Sequence, residues 1–258
     1  MKRIDLFEFE DLAWFPNWLR TCLTRLIVVM HRLLKSSDDL VPLIKRTLSY
    51  SNTKTIVDLC SGSGGPMIEV FRNLVREQGN SDVKLILTDL YPNLEIASEI
   101  NNSAIQNLSY KTFPVNASYV NSELTGVRTM VGSFHHMEPD AAKKILKNAK
   151  ESKVPICIYE ISDNRFPTFL WWATIPIIFL MGLFLTPFVR PLTWKQIIFT
   201  YIIPVIPLFF AWDGAVSNVR TYTLEDLDIL LEGLESENYR WEKGKIANKL
   251  YLLGIPII

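Results

Sequence analysis

Four groups of residues in this chain could do chemistry. Residues 55–66 read Thr-Ile-Val-Asp-Leu-Cys-Ser-Gly-Ser-Gly-Gly-Pro, an apolar run that ends in Asp58 and gives way to a turn of small residues. Glycines such as Gly62 and Gly64 permit unusual backbone angles and let a ligand approach the main chain. Asp89 closes a second apolar run, 83–90, where a carboxylate can accept hydrogen bonds from both hydroxyls of a ribose. His135 and His136 follow a third run, and imidazole suits proton removal near neutral pH, or simple positioning. On an extended segment adjacent side chains point to opposite sides, so at most one histidine is expected to face a site. No third ligand accompanies the pair in sequence, and no metal is expected. Glu160 and Asp163 end a fourth run, where either carboxylate could orient a substrate and Asp163 could equally cap a turn.

Periodicity supplies the elements that must position these groups. Thr55, Ile56, Val57 and Leu59 suit a buried parallel strand, and Pro66 suits the first position of a helix over 66–78. That helix carries Met67, Ile68, Val70, Phe71, Leu74 and Val75 at helical spacing. A turn is expected over 78–82, a strand over 83–90, a helix over 92–108 and a third strand over 110–117. Residues 127–136 read as the fourth strand and its exit, 139–149 as a helix, and 154–161 as the fifth strand. Thr223 is an N-cap for a helix to about Glu232, and 239–247 with 250–255 form a terminal hairpin. The expected fold is α/β: a Rossmann-like, seven-stranded sheet over 36–163 and 213–258, with helices on both faces.

Composition narrows the partners. Formal net charge is zero, so a basic footprint for nucleic acid is absent. Cys22, Cys60 and Cys157 are scattered and odd in number, which argues for a reducing compartment. The first residues lack the apolar core of a signal peptide. The region 1–35 holds an amphipathic helix candidate over 12–35, with Trp14, Trp18, Leu23 and Leu26 on its stripe and Arg20, Arg25 and Arg32 elsewhere. It could lie on a membrane or cover the sheet. Glu8, Glu10 and Asp11 before it are expected to be solvated.

Residues 164–212 are an insertion of different character. Residues 166–188 carry no charge over about 23 positions, enough to cross a bilayer, and 197–212 add about 16 more, which is marginal. Trp171, Trp172, Trp194 and Trp212 sit near the ends of the two runs, as interfacial anchors would. Pro176, Pro187, Pro204 and Pro207 interrupt any straight helix. Two crossings, a re-entrant hairpin and a soluble apolar lid all remain open.

In order along the chain, the turn at 58–64, Asp89, 116–117 and the 127–136 edge resemble class I S-adenosylmethionine-dependent methyltransferases. Cys60 stands where that family usually has its first glycine, and Asn116-Ala117 where it usually has Asp-Ala. The resemblance implies S-adenosyl-L-methionine as cofactor. Asp58 would lie near its methionine end, with Cys60, Ser61, Gly62, Ser63 and Gly64 beneath its body. Asp89 and Leu90 would hold the ribose, Asn116 and Ala117 the adenine, and Ser133 would face the methyl donor. His135, His136 and Glu160 would then face the acceptor. The stretches 127–136 and 213–227 also resemble a bacterial group of these enzymes with an inserted apolar hairpin. Asp213 and Arg220 would there line the pocket, a local ion pair being the other reading.

The function implied is in-line attack by an acceptor atom on the sulfonium methyl, driven by proximity and orientation. The insertion would admit a small lipophilic acceptor, such as a lipid, quinone or apolar small molecule, from the membrane lipid bilayer, with the catalytic domain on the cytoplasmic side. A soluble small-molecule methyltransferase with an apolar lid, and a non-catalytic membrane interaction module, are the competing readings. Oligomeric state is left open.

Overall fold

The structure, a computed structural model, describes residues 1–77 and 80–257. Its sheet grows outward from β1 (Thr55–Asp58), whose Ile56 and Val57 are fully buried, as a β-branched run between two neighbours demands. β1 lies parallel between β2 (Lys84–Leu87) and β4 (Val127–Val131). β3 (Leu108–Tyr110) continues parallel beyond β2, and β5 (Ile156–Glu160) beyond β4. The hairpin of β6 (Tyr239–Ile246) and β7 (Lys249–Pro256) adds β7 antiparallel to β5. Among the described residues the sheet has seven strands in the order β3-β2-β1-β4-β5-β7-β6. Its parallel carboxyl ends meet at the exits of β1, β2, β4 and β5, where open α/β sheets hold ligands.

α1 (Asn17–Leu33) precedes the sheet, while α2 (Ser36–Leu48) and α3 (Met67–Arg76) cover one face around Ile44, Phe71 and Leu85. α4 (Leu94–Asn101) links β2 to β3. On the other face α5 (Pro139–Glu151) and α10 (Leu224–Leu231) close over Ile145, Ile158 and Leu230. α10 starts on Thr223, which shares a capping box with Asp226.

Several boundaries differ from expectation, each for a local reason. α1 starts at Asn17, not near residue 12, because Leu12 is extended and Pro16 takes the N-cap. The helix expected over 92–108 is α4 and ends at Asn101; Asn107, at φ 62, then turns the chain into β3. β3 precedes the strand expected over 110–117. There Pro114 has no donor for a ladder, and the Asn116 and Asn121 side chains fold the chain back on the Ser118 and Glu123 amides. β4 stops at Val131 because Gly132 is left-handed at φ 63, and a 3-10 turn, Phe134–His136, replaces the extended exit. Of the turn expected over 78–82, Gln78 and Gly79 lie outside the described residues.

The insertion also breaks. Residues 166–188 divide into α6 (Thr168–Ala173), α7 (Ile175–Leu185) and a 3-10 turn, Thr186–Phe188. The second run divides into α8 (Trp194–Tyr201) and α9 (Val205–Arg220), bent by 79° at a break holding Pro204. Among the described residues no single helix is long and apolar enough to cross a membrane. α9 runs past residue 212 as far as Arg220, so its end belongs to the site described below. α1 packs with α7 and α9, where Phe15, Leu23 and Leu26 meet Leu185, Ile206 and Phe210 in a third core. The outer surfaces leave Phe184, Phe188, Trp194 and Ile202 exposed.

Candidate functional site

The turn after β1 is built from left-handed residues: Cys60 at φ 58, Gly62 at φ 52 and Gly64 at φ 96. A Cβ at Gly64 would stand 2.9 Å from Ile68 Cδ1 and push that side chain aside, and φ 96 strains any other residue there. At Gly62 a Cβ would meet nothing within 4 Å, so this glycine faces open space. The Asp89 carboxylate reaches back to it. Oδ2 accepts the Gly62 amide at 2.8 Å and Oδ1 accepts that of Tyr91 at 2.8 Å. Each oxygen keeps a second lone pair for a ligand hydroxyl. The Tyr110 hydroxyl donates to the Gly62 carbonyl at 2.7 Å, bracing the turn from β3. Ser63 Oγ stands 3.4 Å from the Thr21 hydroxyl of α1, and Leu90 is exposed beside Asp89.

Asp58 lies behind this cradle, buried, accepting the Ser61 hydroxyl at 2.6 Å and the Thr129 hydroxyl at 2.7 Å. Burial, against those two donors and helped by the Asp89 charge, pushes its carboxyl up to about 7. Burial, with Asp89 and Asp58 beside it, also pushes the Cys60 thiol up, so Cys60 stays protonated and inert.

The Val115 amide donates to the Asp89 carbonyl at 2.8 Å, which sets Asn116 just beyond β2. Its side-chain oxygen accepts the Ser118 amide at 2.9 Å, and Ala117 is buried beneath. At the exit of β4 the buried Ser133 Oγ has no hydrogen-bond partner among the described residues. Neither ring nitrogen of buried His31, from α1, has one either. His31 Nε2 would lie 3.5 Å from a Cβ at Gly132, so both orphan groups flank one backbone corner. Burial holds the His31 ring neutral, lowering it to about 4. Orphaned buried polar groups of this kind ask for a ligand. Together with the open cradle at Gly62 and the lone pairs of Asp89, they fit a polar nucleoside lying across the sheet ends.

His31 was missed from sequence, although a lone histidine on the buried stripe of α1 is the signal that could have found it. A cleft of about 390 Å³ opens between α1, α3 and α4, bordered by Ser63 and Gly65. Asp58, Asp89 and the paired histidines take no part in its walls.

A second cluster sits beyond β4 and β5. Glu160 Oε1 accepts the amides of Phe134 and His135 at 2.8 and 3.1 Å, and Oε2 lies 2.9 Å from His135 Nδ1. Burial pushes Glu160 up, but His135 and these amide donors outweigh it and hold the carboxyl below its ordinary value. Because residues 134–136 form a 3-10 turn, the two imidazoles do not point apart as expected: their ring centroids are 4.3 Å from each other.

Both Nε2 atoms face Glu8, at 3.8 Å for His135 and 3.9 Å for His136. Glu8 is 0% exposed, which corrects the expectation of a solvated acidic cluster. The N-terminal segment crosses the carboxyl end of β4 as a strap and is fastened there by its backbone: Asp213 Oδ1 accepts the Phe9 amide at 2.7 Å. It thereby brings a third potential ligand to the pair, which sequence spacing hid. Asp11 Oδ1 lies 2.8 Å from His136 Nδ1, and Arg220 Nη1 reaches Asp11 Oδ2 at 2.5 Å and Glu8 Oε1 at 3.2 Å. Asp213 and Arg220 thus both hold the strap, two helical turns apart on α9, in place of a local ion pair. Burial would keep His136 neutral, but Glu8, Asp11 and Glu10 outweigh it and raise the ring to about 10. Asp163 serves its own turn, accepting the Arg165 amide at 3.2 Å, and pairs with Lys245 at 2.6 Å.

No protein-family model and no curated protein matches the chain. Solved structures do. PigF, solved with SAH, aligns with 97% of this chain and 63% of its own, at 12% identity and a TM-score of 0.53. The small RNA methyltransferase HEN1 aligns over 85% of this chain and 25% of its own, at 16% identity and a TM-score of 0.50. An O-methyltransferase family protein from Burkholderia thailandensis aligns over 87% and 57%, at 12% identity and a TM-score of 0.49. The chain therefore spans less than two thirds of the length of each. The likeness to PigF and HEN1 shows the fold, a Rossmann-like α/β sheet.

Proposed function

We propose that the chain is an S-adenosylmethionine-dependent methyltransferase that acts on a small lipophilic acceptor at a membrane surface. The observation that carries this reading is the Asp89 carboxylate held against the Gly62 amide at 2.8 Å, at the mouth of an open glycine cradle. S-adenosyl-L-methionine, when bound, supplies a methyl group already activated on a sulfonium. The chain's own residues then have to bind and orient. Gly62 lets the cofactor body approach the main chain, and Asp89 offers its remaining lone pairs to ribose hydroxyls. Ser133 and His31 offer a hydroxyl and ring nitrogens near the exit of β4. Glu160 locks the 134–136 turn, so that His135 and His136 shape the acceptor side by positioning. Proton removal is not required of them, and proximity supplies most of the rate.

The acceptor class rests on the insertion. Exposed apolar side chains on α7, α8, α9 and the break between the last two, Phe184, Trp194, Ile202 and Leu208 among them, support an interaction face. We read it as lying in the interface, with α8 and α9, which are long and apolar enough together but bent by 79°, entering without a straight crossing. Calorimetry tests the enzyme reading: S-adenosylmethionine and its demethylated product should both bind, and heat from neither would defeat it. Incubation of lipid extracts with labelled methyl donor tests the acceptor: label should enter apolar products, and label confined to polar ones would refute the lipophilic class.

A further inference from the structure

We propose that Glu8, His135 and His136 form a binding site for one divalent transition-metal ion, with Zn²⁺ the best match, which clamps the N-terminal strap onto the exit of β4. One ligand atom from each residue lies within 4.8 Å of the other two. The His135 Nε2–Glu8 Oε1 separation of 3.8 Å and the His136 Nε2–Glu8 Oε2 separation of 3.9 Å are too long for hydrogen bonds. They come close to the ligand–ligand edge of a tetrahedral zinc site, about 3.4 Å for bonds of about 2.1 Å.

The tautomers point the same way. Each Nδ1 is held by a carboxylate, Glu160 at 2.9 Å and Asp11 at 2.8 Å. Metal-bound histidines are held in this manner, the outer carboxylate fixing the ring and leaving the other nitrogen free as a ligand. With Nδ1–H donated outward, an ion that displaces the remaining ring proton of His136 would meet both Nε2 atoms and the Glu8 carboxylate together. Glu8 is fully buried; its Oε1 makes no hydrogen bond and lies 3.2 Å from the Arg220 guanidinium, while its Oε2 accepts the Ser217 hydroxyl at 3.0 Å. Two ring nitrogens and one carboxylate thus converge on a spot that one ion could fill.

Glu8, Asp11 and Glu160 face Arg220 and, at the margin, Arg3, whose Nη2 donates to the His135 carbonyl at 3.3 Å. A dication bound between the two Nε2 atoms would take the place of the second ring proton that these carboxylates otherwise hold on His136. Glu10 Oε1, 3.5 Å from His136 Nε2, is the nearest fourth ligand. Two imidazoles favour zinc or a neighbouring transition ion over magnesium or calcium. The clamp stands whether or not the chain transfers methyl groups, so it is tested without a cofactor.

The test uses the full chain without a histidine tag, stripped with chelator and dialysed against micromolar Zn²⁺, with bound metal measured by mass spectrometry. About one equivalent per chain is expected, with His135→Gln and His136→Gln each losing it and Asp11→Asn weakening affinity about 10- to 100-fold. Titration of the unaltered chain with Co²⁺ should give the visible bands of a nitrogen-ligated, low-coordinate ion, a readout that needs no variant to fold. Failure to retain Zn²⁺, retention undiminished in both histidine variants, or a Co²⁺ spectrum like that of the ion in water would each overturn the proposal. Those outcomes mean that a proton on His136, not a metal, holds the cluster together.

Discussion

The Thr129 hydroxyl donates to Asp58 Oδ1 across 2.7 Å, so the carboxylate ending β1 is tied to the middle of β4 and sealed from water. Burial first, then the Asp89 charge, lifts that carboxyl from 3.8 to about 7 in the folded chain. Between those values the folded state holds a proton that the unfolded state has released. The stabilisation from this proton is therefore complete below 3.8, declines as pH rises, and is lost once pH passes about 7. The slope reaches about 1.4 kcal/mol per pH unit. Urea midpoints from pH 4 to 8 should fall less steeply for Asp58→Asn than for the parent chain, a slope of the same sign remaining from Asp213 and His136. Parallel curves would show that Asp58 is ionised throughout.

Asp89 is the residue on which cofactor binding is expected to depend most. Replacing it by alanine removes two acceptors for ribose hydroxyls as well as the brace on Gly62. Hydrogen bonds to a charged group contribute about 1.5–3 kcal/mol, so S-adenosylmethionine should bind roughly 10- to 100-fold more weakly. Calorimetry reads this directly. Unchanged affinity would place the cofactor elsewhere.

Gly126 leads into β4 at φ 141, and a Cβ there would stand 2.4 Å from the Thr55 carbonyl oxygen at the start of β1. No flexible side chain can move to relieve that contact. Gly126→Ala should cost about 2 kcal/mol or more, visible as a lower chemical midpoint with an unchanged slope.

Local chemistry explains which parts of this molecule were legible in the sequence. The β1 run, the glycine turn and Asp89 each announce themselves within a few residues, and the structure brings them together as expected. The closing hairpin and the Thr223 cap are legible for the same reason. The histidine cluster was not, because its geometry depends on one left-handed residue, Gly132, which converts an extended exit into a 3-10 turn. Glu8 was hidden more deeply. It has no periodic context of its own, and its burial arises from contacts with residues 135–136 and 217–220, far away in the chain. In the insertion the uncharged length was visible, but not where it breaks: near Pro176 and Pro204 the helices end, so that among the described residues no single one is long and apolar enough to cross a membrane and α8 and α9 meet at 79°.

Those short helices set the last expectation. One side of the insertion is committed to the third core with α1, and the other side is not: Phe184 is 73% exposed and Ile202 71%. A lid working in solution would have reason to keep such residues covered, whereas an interfacial helix cluster would immerse them among acyl chains. The full chain should therefore float with vesicles of mixed anionic and zwitterionic phospholipid. Incomplete immersion of each side chain contributes about 1–1.5 kcal/mol, so Phe184→Ser with Ile202→Ser should weaken partitioning roughly 30- to 150-fold. Both positions are solvent-facing, so the double variant should keep its urea midpoint, separating lost membrane contact from lost fold. A parent chain that stays with the soluble fraction would instead favour the lid.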